Sequence, residues 1–331
     1  MDRAGDGEAR SVWDARVISN GGAVEVPGCG GDGVVPVVGI SGGKRRRRTI
    51  GRAVRERWAR EVVAFLKRDA VVVAEDAESV HQARRAARRL RAALRLYRPF
   101  FDRLWAGSLA DEVRWLARRL GVVRDLDVVG ERFVREGGSL ALGPIHEAME
   151  ANRRLARQAL AEALESRRRR VLREKLREAS RHPWLRGELS EPAGKRLRRR
   201  LRSLWQRLKA ARDGVRLAPG DEAYHEVRKR GKDLRLAIEI AAGDMGRRKA
   251  LDRLDRALGR LVARLGERQD AVVAARLIRE LDASLEVGRE ERRLAVEALV
   301  ARWAEEVDRV DAEFGRLWRR VRRSARRLFD R

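Results

Sequence analysis

The sequence predicts an all-α fold, drawn as two antiparallel four-helix bundles related by a pseudo-twofold internal repeat behind a disordered N-terminal segment. Three observations predict it. From Gly51 onward, Ala, Leu, Arg and Glu dominate and apolar residues recur at three- and four-residue steps, as in Leu109, Val113, Leu116 and Leu120 and again in Leu254, Leu258, Leu261 and Leu265. The β-branched alternation typical of strands is missing. Proline is almost confined to the breaks, at Pro99, Pro183, Pro192 and Pro219.

Taken in order, residues 1–50 hold a cluster of glycines between Gly21 and Gly43, two prolines and no sustained helical period, and include the basic run 44–48. Such a composition buries too little apolar surface to order itself, so this segment is expected to be disordered and its basic run a solvated linker. Helices are expected over about 51–185 and about 190–331, each stretch long enough for about four. Between them, His182, Pro183, Gly187, Pro192 and Gly194 interrupt the helical period.

The two stretches resemble each other. At an offset of 144, His81, Arg84, Arg85, Arg88, Leu90 and Arg91 fall on His225, Arg228, Lys229, Lys232, Leu234 and Arg235. About one residue of drift later, Leu120, Gly121, Arg124 and Asp125 fall on Leu265, Gly266, Gln269 and Asp270 in the same order. Two copies of one unit are implied.

At about 100° per residue, Arg84, Arg85, Arg88, Arg91 and Arg95 lie within about 80° of His81, while Val80, Ala83, Ala87, Leu90, Leu94 and Tyr97 gather opposite. The second copy sets Arg228, Lys229, Lys232 and Arg235 near His225, against Val227, Leu234 and Ile238. Each helix can therefore pack on its apolar face and carry a basic stripe. Like charges at i+4 repel by a few tenths of a kcal/mol, which exposed helices usually relieve with acids, yet none occurs between Arg84 and Arg98. Arginine-rich surfaces do arise without function, but the repetition and the missing acids both oppose that reading here.

The chain of 331 residues carries 78 Lys and Arg against 50 Asp and Glu, a formal charge of +28. That field attracts polyanions: nucleic acid, acidic membrane, acidic protein or polyphosphate. With Cys29 the one cysteine, neither a disulfide framework nor a thiolate zinc site can form within the chain, and no cofactor or metal is expected. No signal peptide is recognised and no apolar run approaches the ~18 residues of a spanning helix, so a cytoplasmic protein without membrane insertion is expected. No P-loop, HExxH pair or carboxylate cluster at ligand spacing is present, which argues against an enzyme. The sequence leaves the oligomeric state open.

Arginine offers a planar fork to phosphate and lysine a mobile point charge, so a stripe of them can track successive phosphates. The two histidines would gain charge beside phosphate. Nucleic-acid readers commonly interleave stacking aromatics. Here Trp, Tyr and Phe make up 5% and mostly fall in apolar series, as with Trp115 and Trp205. A ligand without bases thus fits better than one with them, although backbone-only binding of duplex or RNA would need no stacking either, and a nucleic-acid-binding or ribosome-associated protein is the alternative.

These residues resemble the CHAD family, the conserved histidine α-helical domain, over the chain from about Arg52 onward. The segments that carry the likeness are SVHQARRAARRLRAALRLYRPFFD from Ser79, LGVVRDLDVV from Leu120, YHEVRKRGKDLRLAIEI from Tyr224 and LGERQDAVVAARL from Leu265. The resemblance implies a pseudo-twofold pair of bundles whose His-led helices meet around a basic groove that binds inorganic polyphosphate, on or off polyphosphate granules. It places the contacts on His81, Arg84, Arg85, Arg88, Arg91, His225, Arg228, Lys229, Lys232 and Arg235. Arg95, Arg118, Arg124 and Arg264 follow as second-tier candidates, and Asp125 and Asp270 are expected to orient arginines. The departures are Gly231 and Asp233, since a helical glycine costs roughly 1 kcal/mol relative to alanine and should weaken or bend the second stripe. Family members often adjoin a triphosphate tunnel domain, but no ExExK pattern occurs here, so a stand-alone binding module is expected.

Overall fold

The computed structural model describes residues 48–137, 140–246, 248–285 and 289–329. The segment expected to be disordered falls outside the described residues except at its end, where the first helix starts at Ile50 with the Thr49 hydroxyl accepting from the Arg52 amide. Among the described residues the structure is helical throughout: α1 (Ile50–Ala70), α2 (Ala77–Tyr97), α3 (Arg103–Glu136), α4 (Gly143–Glu165), α5 (Arg167–Arg181), α6 (Ala193–Leu217), α7 (Asp221–Met245), α8 (Arg248–Ala283) and α9 (Arg289–Phe329). Strand-like pairing is limited there to two isolated bridges, Thr49 with Pro192 and Phe101 with Leu185.

Side chains that accept from first-turn amides set several of the starts. Asp76 accepts from Glu78 and Ser79 at 3.1 Å each, and Asp102 from Leu104 at 3.0 Å and Trp105 at 2.9 Å. Ser166 both ends α4 and caps α5 through the Arg169 amide at 3.2 Å. The first stretch therefore carries five helices rather than about four, because this serine divides its last one, whereas α9 runs unbroken in the second stretch.

Neighbour packing follows the chain. α1 lies on α2 and α5, α2 on α3, and α3 on α4; then α6 lies on α7, α7 on α8, and α8 on α9, which returns to α6. Residues 182–192 connect the two sets and are clamped by backbone bonds. The Ile50 amide donates to Glu191 at 2.8 Å, Ala193 to Arg48 at 2.9 Å, Asp102 to Trp184 at 2.9 Å and Arg186 to Phe100 at 2.9 Å.

One apolar cluster draws on all nine of these helices. A second joins the later part of α3 and the start of α4 to the later part of α8 and the first half of α9. The two stretches thus share their cores, and burying this surface is the main force holding them together. α2 packs directly on α7.

Gly231 does not break its helix. α7 runs through it without interruption, and the residue is buried where a Cβ would come within 2.9 Å of Val262 Cγ2 on α8. The missing side chain lets α7 and α8 approach closely.

Candidate functional site

The apolar faces read from the sequence are the ones that pack. Val80, Ala83, Ala87, Leu90, Leu94 and Tyr97 of α2 are buried, as are Val227, Leu234 and Ile238 of α7. Because α2 and α7 also pack on one another, their basic faces are not left wholly in water. Arg84 and Arg88 from α2 and Arg228 and Lys232 from α7 are all half-buried, and their charges act on one another.

Two carboxylates brace this group from outside. Asp125 of α3 pairs with Arg84 at 2.9 Å, and Asp270 of α8 stands 3.9 Å from Arg228. Burial raises the Asp270 carboxyl above its ordinary range against the pull of Arg228 and Lys232. Arg88 and Lys232 have no ion-pair partner among the described residues. Burial, then Arg84 and Arg228, bring the Arg88 guanidinium down to about 10. Burial, then Arg228, Arg88 and Arg84, bring the Lys232 amine down to about 7, only partly offset by Asp270. Arg228 is lowered too, first by burial, and its Nε is buried with no hydrogen-bond partner. An anion beside such crowded, under-neutralised donors would favour their charged forms.

The histidines differ in setting. Burial and then the charge of Arg124 lower His81 below the ordinary imidazole range, which favours the neutral ring while no anion is bound. His225 places Nδ1 2.9 Å from Gln269 Oε1, the residue that the repeat sets opposite Arg124.

The remaining stripe residues are more dispersed. Arg85 is exposed, with no ion pair among the described residues. Arg91 is lowered by burial and then by Arg95, Arg114 and Arg118, which sets it toward α3 and the exposed Arg118. Lys229 is exposed beside Glu226 at 3.1 Å, and Arg235 donates to Asp255 at 3.1 Å. Arg124 pairs with Glu131 at 3.0 Å. Arg264 pairs with Glu313 of α9 at 3.1 Å and with Glu267 of its own helix, so its charge is met between α8 and α9.

The stripes are also less purely positive than the helices alone suggest, since acids arrive from other helices. Asp233 of α7 holds Arg95 at 2.6 Å. Glu239 of α7 holds Arg89 at 2.9 Å, while Glu61 of α1 grips the same guanidinium at 2.7 and 2.9 Å. These two α2–α7 pairs exchange into one another at the offset of 144: Arg89 maps to Asp233 and Arg95 to Glu239. Contacts across a twofold axis have that form. Arg89 was missed in the sequence, although it lies only about 80° from His81 on the helical wheel. Beside it a cleft of about 360 Å³ opens between α1, α2 and α7, with Arg68, Arg85, Arg88, Arg89 and Arg235 against Glu61 and Glu239, and no aromatic ring in its wall.

The sequence pattern of the CHAD domain matches residues 56–279. Two uncharacterized proteins of Mycobacterium tuberculosis, from strains CDC 1551 / Oshkosh and ATCC 25618 / H37Rv, are each 31% identical over 236 residues, 68% of this chain and 44% of theirs. The match therefore spans less than half the length of these relatives. Among solved structures, PptA from Streptomyces chartreusis has a TM-score of 0.69 at 19% identity, covering 82% of this chain and 99% of that one. The crystal structure of the CHAD domain from the plant Ricinus communis has a TM-score of 0.67 at 25% identity, covering 82% and 92%.

Proposed function

The chain belongs to the CHAD domain family, and from that premise we propose that it binds inorganic polyphosphate, without converting it, along the seam between α2 and α7. The observation that carries this reading is the half-buried group of Arg84, Arg88, Arg228 and Lys232, in which two cations lack any carboxylate partner among the described residues. Phosphate oxygens would supply the missing counter-charge, and guanidinium forks suit them in pairs. His81 and His225 flank the group and would add donors as they gain charge beside the anion.

The absence of aromatic rings from the wall of the adjoining cleft supports an anion without bases. Trp58, Trp205, Trp303 and Trp318 are buried in the apolar clusters. No helix among the described residues is long and apolar enough to cross a membrane. We place the protein in the cytoplasm, on polyphosphate granules where these form. Fluorescent fusions in cells with and without polyphosphate test that placement.

The binding test is a titration with inorganic polyphosphate, followed by competition with duplex DNA and RNA at matched phosphate concentration. Tight binding that neither nucleic acid displaces is expected. Equal displacement by DNA or RNA would transfer the site to nucleic-acid backbones, as in a ribosome-associated protein.

A further inference from the structure

A larger concavity, of about 740 Å³, lies where α6 begins and α7 ends, lined in part by Arg48, Lys195, Arg198, Arg199, Arg202 and Asp244. It is separate from the α2–α7 group: along α7, Asp244 is about 18 Å beyond Lys232. Its single carboxylate is already spent. Asp244 is buried, receiving Arg48 at 2.7 Å and Arg57 at 3.1 Å. Arg202 donates to the Phe329 carbonyl.

Lys195, Arg198 and Arg199 remain, and none has an ion-pair partner among the described residues. The Arg198 Nε is buried with no hydrogen-bond partner among the described residues. Most half-buried arginines of this chain are tied to carboxylates, as Arg153 and Arg157 are to Asp127 at 3.1 and 2.8 Å. A concave wall that keeps three neighbouring cations unneutralised, one with an orphaned donor, is built for an anion.

The floor is held in shape by close approach. A Cβ on Gly194 would come within 3.2 Å of the Asp244 carbonyl and 3.7 Å of Met245 Cα, so glycine there lets the start of α6 rest on the end of α7. The first turn of α6, whose N-cap Pro192 offers no capping side chain, adds the positive end of a helix dipole to the same wall. No aromatic ring lines the space to stack a base.

We infer that this cavity is a second anion site, independent of the α2–α7 seam, that takes a compact condensed phosphate between Lys195, Arg198 and Arg199. The anion would join α6 to the end of α7 near the start of α1, where Arg48 meets Asp244. The inference does not rest on the seam binding polyphosphate.

Calorimetry of the full chain with tripolyphosphate tests it. Two binding equivalents are expected. The triple variant Lys195→Ala, Arg198→Ala, Arg199→Ala should lose one of them, weakened by a factor on the order of 100, and keep the other. The pair Arg88→Met, Lys232→Met should do the reverse. A triple variant that keeps both equivalents at wild-type affinity overturns the site. A seam variant that keeps both counts against the seam alone. Should the triple variant lose helix by circular dichroism, acetylation of the exposed Lys195 in the wild-type chain decides: saturating tripolyphosphate should protect it, and undiminished labelling refutes the proposal. A nucleoside triphosphate should bind the cavity as tightly as tripolyphosphate. Binding of the nucleotide alone would refute a phosphate-only ligand.

Discussion

Lys232 is the side chain on which the account is most exposed. Its amine faces Arg228 on its own helix, Arg88 and Arg84 across the seam, and Asp270 of α8, and it titrates near 7 while no anion is bound. Bound phosphate favours the ammonium form, so binding above pH 7 takes up a proton. Affinity should be flat in this group below about pH 7 and should fall by up to roughly tenfold per pH unit above it. Titrations from pH 7 to 9 should show that fall in the wild type, and Lys232→Arg, whose charge persists, should flatten it; matching profiles would remove Lys232 from the site. Arg88 gives a second check. Its charge is disfavoured by folding, down to about 10, because it is buried among other arginines. Arg88→Met should weaken polyphosphate binding by about 10- to 100-fold and leave the melting temperature equal or higher, since it removes a repelled charge and keeps the side chain's bulk. A lower melting temperature would mean that the guanidinium holds the fold together.

At the level of helices, the sequence was most legible where a face repeats. The apolar sides of α2 and α7 could be read because burial selects every third or fourth residue, and those residues are buried. The break between α4 and α5 was not legible. Ser166, standing between Glu165 and Arg167, makes it by accepting from the Arg169 amide, without glycine or proline to mark it. Gly231 was legible only in part for a related reason: its helix propensity is a property of the residue, whereas the space it leaves is set by Val262 in another helix. Gly231→Ala should gain roughly 1 kcal/mol of helix propensity but lose about 1–3 kcal/mol to overpacking, for a net loss. Gly107→Ala in α3 meets nothing within 4 Å and should gain about 0.5–1 kcal/mol. Denaturant unfolding of both variants checks the pair, and a stabilising Gly231→Ala would show that α7 and α8 have room to part.

Across the whole molecule, the charge of +28 could be read at once, but not which cations would be left without partners. Two of the acids that quench Arg89 and Arg95, Glu239 and Asp233, come from 150 and 138 residues away, and no local pattern announces them. Two cations left without an ion pair among the described residues, Arg88 and Lys232, sit half-buried where α2 and α7 meet, so binding there should release counterions from a shared polyanion. The logarithm of affinity should fall linearly with the logarithm of salt, and Arg88→Met with Lys232→Met should reduce the slope by about 1 to 2. An affinity indifferent to salt would exclude the electrostatic account. The central claim, that both helices hold one anion, is tested most directly by calorimetry with long-chain polyphosphate in the background lacking Lys195, Arg198 and Arg199. Neutralising Arg84 and Arg88, or separately Arg228 and Lys232, should each weaken the same single isotherm without changing its stoichiometry. Loss of half the stoichiometry in either variant, with the remaining half at wild-type affinity, would show two separate sites and contradict the shared seam.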